Sequence, residues 1–134
     1  VFFFSTHQHP WYPYSGVDDE TGSGKGKNTV LNCPLAAGAG NKEVVGAFKD
    51  KLVAAADRFK PELIMVSAGF DSRMDDPLGM FRLTDDDFTE LTKILMKVAD
   101  DHAEGRLVSV LEGGYNLDGL SKAATAHCRA LSGV

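Results

Sequence analysis

Two short apolar runs narrow what this chain can fold into. ELIMVSAG, from Glu62 to Gly69, and RLVSVLE, from Arg106 to Glu112, are aliphatic and rich in β-branched residues. Four consecutive apolar residues, Leu63 to Val66, form the pattern of a strand covered on both faces. A long amphipathic stretch separates the runs, so they read as parallel strands joined by a helix. In an open parallel sheet, ligands bind beyond the carboxyl ends of the strands. The first run leads there into Phe70-Asp71-Ser72-Arg73, the second into Gly113-Gly114-Tyr115-Asn116. Each strand thus delivers one polar candidate, Asp71 or Tyr115.

At 134 residues the chain can bury one ordinary core, which makes it one domain at most. A hydrophobic share of 43% with 25% charged residues excludes wholesale disorder. The net charge of -5 argues against a general nucleic-acid binder, which carries a basic stripe. No apolar run approaches a membrane span, and VFFFSTH has neither the basic region nor the cleavage site of a signal peptide. A cytoplasmic protein is the expectation. Cys33 and Cys128 are too few and too far apart for a disulfide framework, and their apolar contexts predict two buried thiols.

In chain order, Val1 to Thr6 reads as a central strand. HQHPWYPYSG, from His7 to Gly16, is an aromatic loop that either lines a pocket or packs its rings on the domain. Gly22 to Lys27 has no GxxxxGK[ST] pattern and is no phosphate loop. Thr29 to Leu35 is a strand ended by Pro34. Asn41 caps a helix from Lys42 to Lys60 that buries Val45, Phe48, Leu52, Ala55 and Phe59, and Pro61 stops it. Thr84 with Asp85-Asp86-Asp87 is a helix start, a hydroxyl cap followed by acids against the dipole. That helix buries Phe88, Leu91, Leu95 and Val98. A last helix from Leu117 packs Leu120, Ala124, Cys128 and Leu131. The order gives an α/β class with a parallel sheet.

A carboxylate at Asp71 can ligate a metal, act as a base, or cap the following turn. Tyr115 follows two glycines that let the backbone turn sharply; either its hydroxyl stabilises a developing oxyanion, or the ring packs beneath the last helix with its hydroxyl at the surface. His7 and His9 share a strand face, but Pro10 breaks the strand and no third ligand stands nearby. His102 and His127 read as structural. G-x-S-x-G, HExxH and CxxC are all absent.

Taken together, Ser5-Thr6-His7, Trp11 to Gly16, Gly22 to Gly26, Asn32-Cys33-Pro34-Leu35, Ser67 to Asp71, Asp76-Pro77-Leu78-Gly79 and Glu112 to Leu117 resemble the zinc-dependent histone deacetylases. The likeness is to the class II and bacterial branch, with its acetylpolyamine amidohydrolases and acetoin-utilisation proteins, and it runs the whole chain in family order. It implies an arginase-deacetylase type three-layer fold with a mostly parallel central sheet. It also implies hydrolysis of acetyl-lysine or acetylpolyamine amides with one zinc ion (Zn2+). By resemblance, Asp71 matches a zinc ligand and Tyr115 the catalytic tyrosine. Tyr12, Leu78, Gly113 and Gly114 match substrate-binding positions. Ser5 and Thr6 match a structural monovalent-cation site, usually potassium (K+), and Thr29 would fall at a second one.

The family's histidine pair and its Asp-x-His ligands lie upstream of the segment matched by Val1. The expectation is therefore the C-terminal part of a deacetylase domain, residues 1–134, inactive alone. Two alternatives stand beside it: a non-catalytic, self-associating α/β fragment, and an arginase-like ureohydrolase. The missing Asp-x-Asp pair at Asp71 and the Gly113-Gly114-Tyr115 turn disfavour the second.

Overall fold

The computed structural model describes residues 1–134. Its strands are β1 (Phe3–Gln8), β2 (Val30–Leu35), β3 (Ile64–Ala68) and β4 (Leu107–Leu111). One helical run follows β2, comprising α1 (Asn41–Ala47), a π-helical turn (Phe48–Leu52) and α2 (Val53–Phe59). Helix α3 (Asp85–Ala103) connects β3 to β4, and α4 (Leu117–Ser132) follows β4.

The α/β class and the parallel pairing are as expected. The sheet, however, is present as two parallel pairs rather than one continuous piece. β1 pairs with β2 from Phe3↔Val30 to Gln8↔Leu35, and β3 pairs with β4 from Ile64↔Leu107 to Ala68↔Leu111. β1 starts and ends two residues later than its apolar run predicts, and Pro34 lies inside β2 rather than ending it. The helical run after β2 ties the pairs together. Phe48 meets Phe4 edge-on at 5.1 Å, while Val44 and Val45 share a core with Ala68, Phe70 and Leu83.

The cap at Thr84 forms as the sequence predicts. Its hydroxyl accepts from the Asp87 amide at 3.4 Å, and Asp87 Oδ2 accepts from the Thr84 amide at 2.7 Å. This reciprocal pair satisfies two orphan donors of the first turn. The Asn41 side chain caps nothing: the α1 cap position is Gly40, whose amide donates to Glu43 at 3.0 Å. Asn41 instead donates to Asp87 and Glu90 on α3. The π turn holds an extra residue and so rotates the helix beyond it. The buried positions are therefore Val44, Val45 and Ala47 before it and Ala55 and Ala56 after it, while Phe59 stays partly exposed.

Helix α4 presents a different face from the predicted one. Gly119, Ala123, His127 and Ala130 are buried, Leu120, Ala124 and Leu131 lie at the margin, and Cys128 is exposed. Small residues bring α4 close to α3, and His127 fills the gap with polar contacts. Thr92 Oγ1 gives its proton to the Phe88 carbonyl at 2.6 Å, so it accepts from His127 Nδ1 at 2.7 Å. His127 Nε2 then accepts from the Ser109 hydroxyl at 2.8 Å. Desolvation holds this imidazole below its ordinary pKa, in keeping with a neutral ring. Cys33, at 2% exposed, is the buried thiol expected, whereas the expectation for Cys128 is overturned.

Cover over β3 and β4 is one-sided. Ala68 and Val66 pack against Phe88, Leu91 and Ala123, but Leu63, Met65, Val108 and Val110 on the opposite face lie open, Met65 at 74%. The apolar run at 63–66 predicts cover on both faces; within these residues it has cover on one.

Candidate active site

The hydrogen-bond ladder between β3 and β4 continues past their ends. The Glu112 amide donates to the Ala68 carbonyl at 3.0 Å, and the Phe70 amide to the Gly113 carbonyl at 2.8 Å. Phe70 turns inward, 4% exposed, and stacks near Phe88 and His127 with centroids at 5.2 and 5.8 Å. That anchor leaves the next side chain, Asp71, beside the Gly113 backbone.

Asp71 sits in a cradle made by missing side chains. A Cβ on Gly113 would lie 2.5 Å from Asp71 Oδ2, and one on Gly69 would lie 3.2 Å from Oδ1. A Cβ on Gly79 would overlap the Asp71 carbonyl oxygen. Burial pushes the Asp71 carboxyl above the usual carboxylate range against a hydrogen bond from its own backbone, and the charges of Asp76 and Glu112 push the same way. Burial and like charges disfavour the ionised form of this half-buried carboxylate, and a cation beside it would favour that form.

Two residues beyond Gly113, Tyr115 stands half exposed at the turn into α4. Gly114 has φ +139, and a Cβ there would come within 2.8 Å of Leu120 Cδ1 and 3.3 Å of Phe70 Cβ. Only glycine meets both conditions. Asn116 then caps α4, accepting from the Gly119 amide at 3.1 Å.

The loop from Met74 to Met80 closes over this edge. Asp76 Oδ1 accepts from the Leu78 and Gly79 amides at 2.8 and 2.9 Å, and its Oδ2 accepts from the Tyr115 amide at 2.8 Å. Asn116 Nδ2 donates to the Asp75 carbonyl at 3.0 Å. At the base of the loop Arg73 forks onto Asp85 at 2.8 and 3.1 Å. At its far end the Met80 amide donates to Gln8 Oε1 at 3.0 Å, which joins the loop to the end of β1.

The structure therefore gathers Asp71, Gly113, Gly114, Tyr115 and, through Asp76, Leu78. Leu78 and Tyr12 are exposed, Tyr12 on the loop after β1. Ser5 and Thr6 belong to the other parallel pair, opposite Asn32 and Cys33. Both nitrogens of His7 are engaged. Nε2 donates to the Gly16 carbonyl at 2.8 Å, so Nδ1 accepts from the Ser5 hydroxyl at 2.9 Å. A His7–His9 metal pair is thereby removed. No group of three or more His, Cys, Asp or Glu is placed to hold a metal ion. Catalytic zinc takes three protein ligands, so Asp71 fits one position and these residues do not complete a site.

Asp76 and Asn116 escape a sequence reading for their role here. Asp-Pro-Leu-Gly does announce a turn, with Asp at its first position, Pro at the second and Gly at the fourth. Its reach to a residue 39 positions away leaves no local signal.

A family model described as the histone deacetylase domain matches residues 1–131. The chain belongs to the histone deacetylase family. Among deacetylase relatives, the chloroplastic histone deacetylase 14 of Arabidopsis thaliana is 42% identical over 133 residues, covering 99% of this chain and 31% of its own length. The histone deacetylase-like amidohydrolase of Pseudomonas aeruginosa is 38% identical over 136 residues, 100% of this chain and 36% of its own. The solved HDA15 HD domain superposes with a TM-score of 0.91 at 36% identity, over 99% of this chain and 38% of that one. The arginase-deacetylase fold class stands on this likeness. The chain spans about a third of the length of these relatives. None of its helices is long and apolar enough to cross a membrane.

Proposed function

We propose that these residues form the C-terminal part of a zinc-dependent deacetylase domain acting on acetylated lysine or acetylpolyamine amides. One observation carries the reading: two paired parallel strands deliver Asp71 and Tyr115 to the same edge, with Gly113 wedged against the Asp71 carboxylate. Bound zinc would polarise the amide carbonyl and acidify a water. Asp71 would be one of its ligands; the rest of the set lies outside what these residues supply.

What the chain itself contributes is a positioned phenol. Water adding to the amide carbon drives negative charge onto the carbonyl oxygen, and the Tyr115 O–H donates to that oxygen as the charge develops. A single donor of this kind is worth on the order of 10²–10³ in turnover. Tyr12 and Leu78, both exposed, would flank an aliphatic acyl-lysine or polyamine stem. Ser5 and Thr6 remain the proposed monovalent-cation positions. The arginase-like alternative loses ground, because the residue two beyond Asp71 is Arg73, committed to Asp85.

The test compares this chain with a polypeptide extended upstream, measuring bound zinc and hydrolysis of an acetyl-lysine peptide and an acetylpolyamine. Zinc binding and turnover in the extended form, with turnover lost on Tyr115→Phe, is the expected result. Full activity in the 134-residue chain, or none lost on Tyr115→Phe, contradicts the reading. For the chain alone the open face of Leu63, Met65, Val108 and Val110 favours self-association. Sedimentation at rising concentration reads that directly.

A further inference from the structure

Asp76 makes three hydrogen bonds, and they serve two distinct purposes. The pair to Leu78 and Gly79, at 2.8 and 2.9 Å on Oδ1, closes the turn that Asp76 itself begins. The third, at 2.8 Å on Oδ2, crosses to the amide of Tyr115 on the other side of the edge. A local turn needs only the first two. The cross-link runs beside a second one, from Asn116 Nδ2 to the Asp75 carbonyl at 3.0 Å. Together they pin Tyr115 and Asn116, the last two residues before α4, to the loop after β3.

That turn needs pinning. Gly113 and Gly114 precede Tyr115, and glycines restrict the backbone least. From the other side α4 begins only at Leu117. Without the cross-link, Tyr115 would hang between two glycines and a helix start. Burial pushes the Asp76 carboxyl up, but the hydrogen bonds it accepts from the Gly79, Tyr115 and Leu78 amides outweigh that and hold it below the usual carboxylate range. An ionised acceptor makes the stronger bond to an N–H.

We propose that Asp76 is a positioning residue that fixes the Tyr115 backbone, and through it the phenol, relative to the Leu78 loop. The role in turnover rests on the proposed deacetylase reading; the clamp itself does not. Asp76 touches no reacting atom and acts through Tyr115.

Asp76→Asn separates its two purposes. One amide oxygen can still accept from both Leu78 and Gly79, but the NH2 group then faces the Tyr115 N–H, donor against donor. Volume and shape are kept, so the variant retains the fold. In the 134-residue chain, amide hydrogen exchange by NMR should show Tyr115 protected in the wild type and unprotected in Asp76→Asn, with Leu78 and Gly79 still protected. Asp76→Ala should expose all three. In the upstream-extended polypeptide, Asp76→Asn should lower kcat by on the order of 10- to 100-fold with KM little changed, the size of a misplacement near 1 Å. On a Tyr115→Phe background the same substitution should cost nothing more, because the residue it acts through is already disabled.

Unchanged protection of Tyr115 in Asp76→Asn would overturn the clamp. An equal loss of kcat with and without the Tyr115 hydroxyl would overturn the positioning role, leaving Asp76 as a stabiliser of the fold. Full activity in Tyr115→Phe would remove the deacetylase reading of Tyr115 and the turnover role with it, while the exchange result judges the clamp separately.

Discussion

Gly113→Ala is the sharpest probe of the Asp71 cradle. The Gly113 backbone is not in the left-handed region, so alanine meets no strain in φ, and the whole effect comes from one methyl group. That methyl would sit 2.5 Å from Asp71 Oδ2 and 2.9 Å from its Cγ, against an ordinary contact beginning at 3.4 Å. The carboxylate must yield by about 0.9 Å, the difference between 3.4 and 2.5 Å. Swinging it off its rotamer costs on the order of 1 kcal/mol. For a domain of this size that lowers Tm by roughly 2–5 °C. A metal ligand has far less latitude, about 0.2 Å. The two readouts should therefore part company. Thermal unfolding of the 134-residue chain, followed by circular dichroism, should change little. Zinc affinity and turnover of the upstream-extended polypeptide should fall by on the order of 10²-fold. Unchanged affinity and turnover would refute the placing of Asp71 as a ligand. A collapse in Tm by tens of degrees would show that Gly113 is there for packing.

The packing yields three further outcomes. His127 is held neutral in the fold, so its pKa lies below 6.5 there and near 6.5 in the unfolded chain. Between those values the unfolded state binds more protons; stability should be full above 6.5 and fall as the pH drops toward the folded pKa, by about 1.4 kcal/mol for each unit of separation. Urea unfolding on either side of that pH should show the loss in the wild type and not in His127→Gln. A thiol reagent should modify Cys128 in the native chain and reach Cys33 only on unfolding, read by mass spectrometry; burial also raises the Cys33 pKa, against the opposing pull of Lys51. Thr84→Ala removes the hydroxyl that accepts from the Asp87 amide at the start of α3, and should cost about 1 kcal/mol in denaturant unfolding.

Much of the chain is legible one segment at a time. A hydroxyl followed by three acids starts α3 at Thr84, and the glycines before Tyr115 mark a turn whose second residue, Gly114 at φ +139, has a backbone that other residues rarely adopt. These signals work because capping, dipole and backbone strain depend on neighbours within a few residues. The ordered motifs add more: family likeness assigned a role to Asp71 that its position after a strand leaves open among ligand, base and cap.

Tertiary structure decided what depends on partners far along the chain. The π turn at Phe48–Leu52 rotates the α2 face, which no regular helical period foresees. Helix α4 turns His127 inward and Cys128 outward, because Thr92 and Ser109, from two other elements, offer the imidazole both of its bonds. The open face of β3 and β4 has the composition of a buried strand, yet apolar content states a preference for cover and cannot supply it. Asp76 is the clearest case. Its sequence context specifies a turn, and only the fold brings the Tyr115 amide within 2.8 Å of the carboxylate oxygen that the turn leaves free.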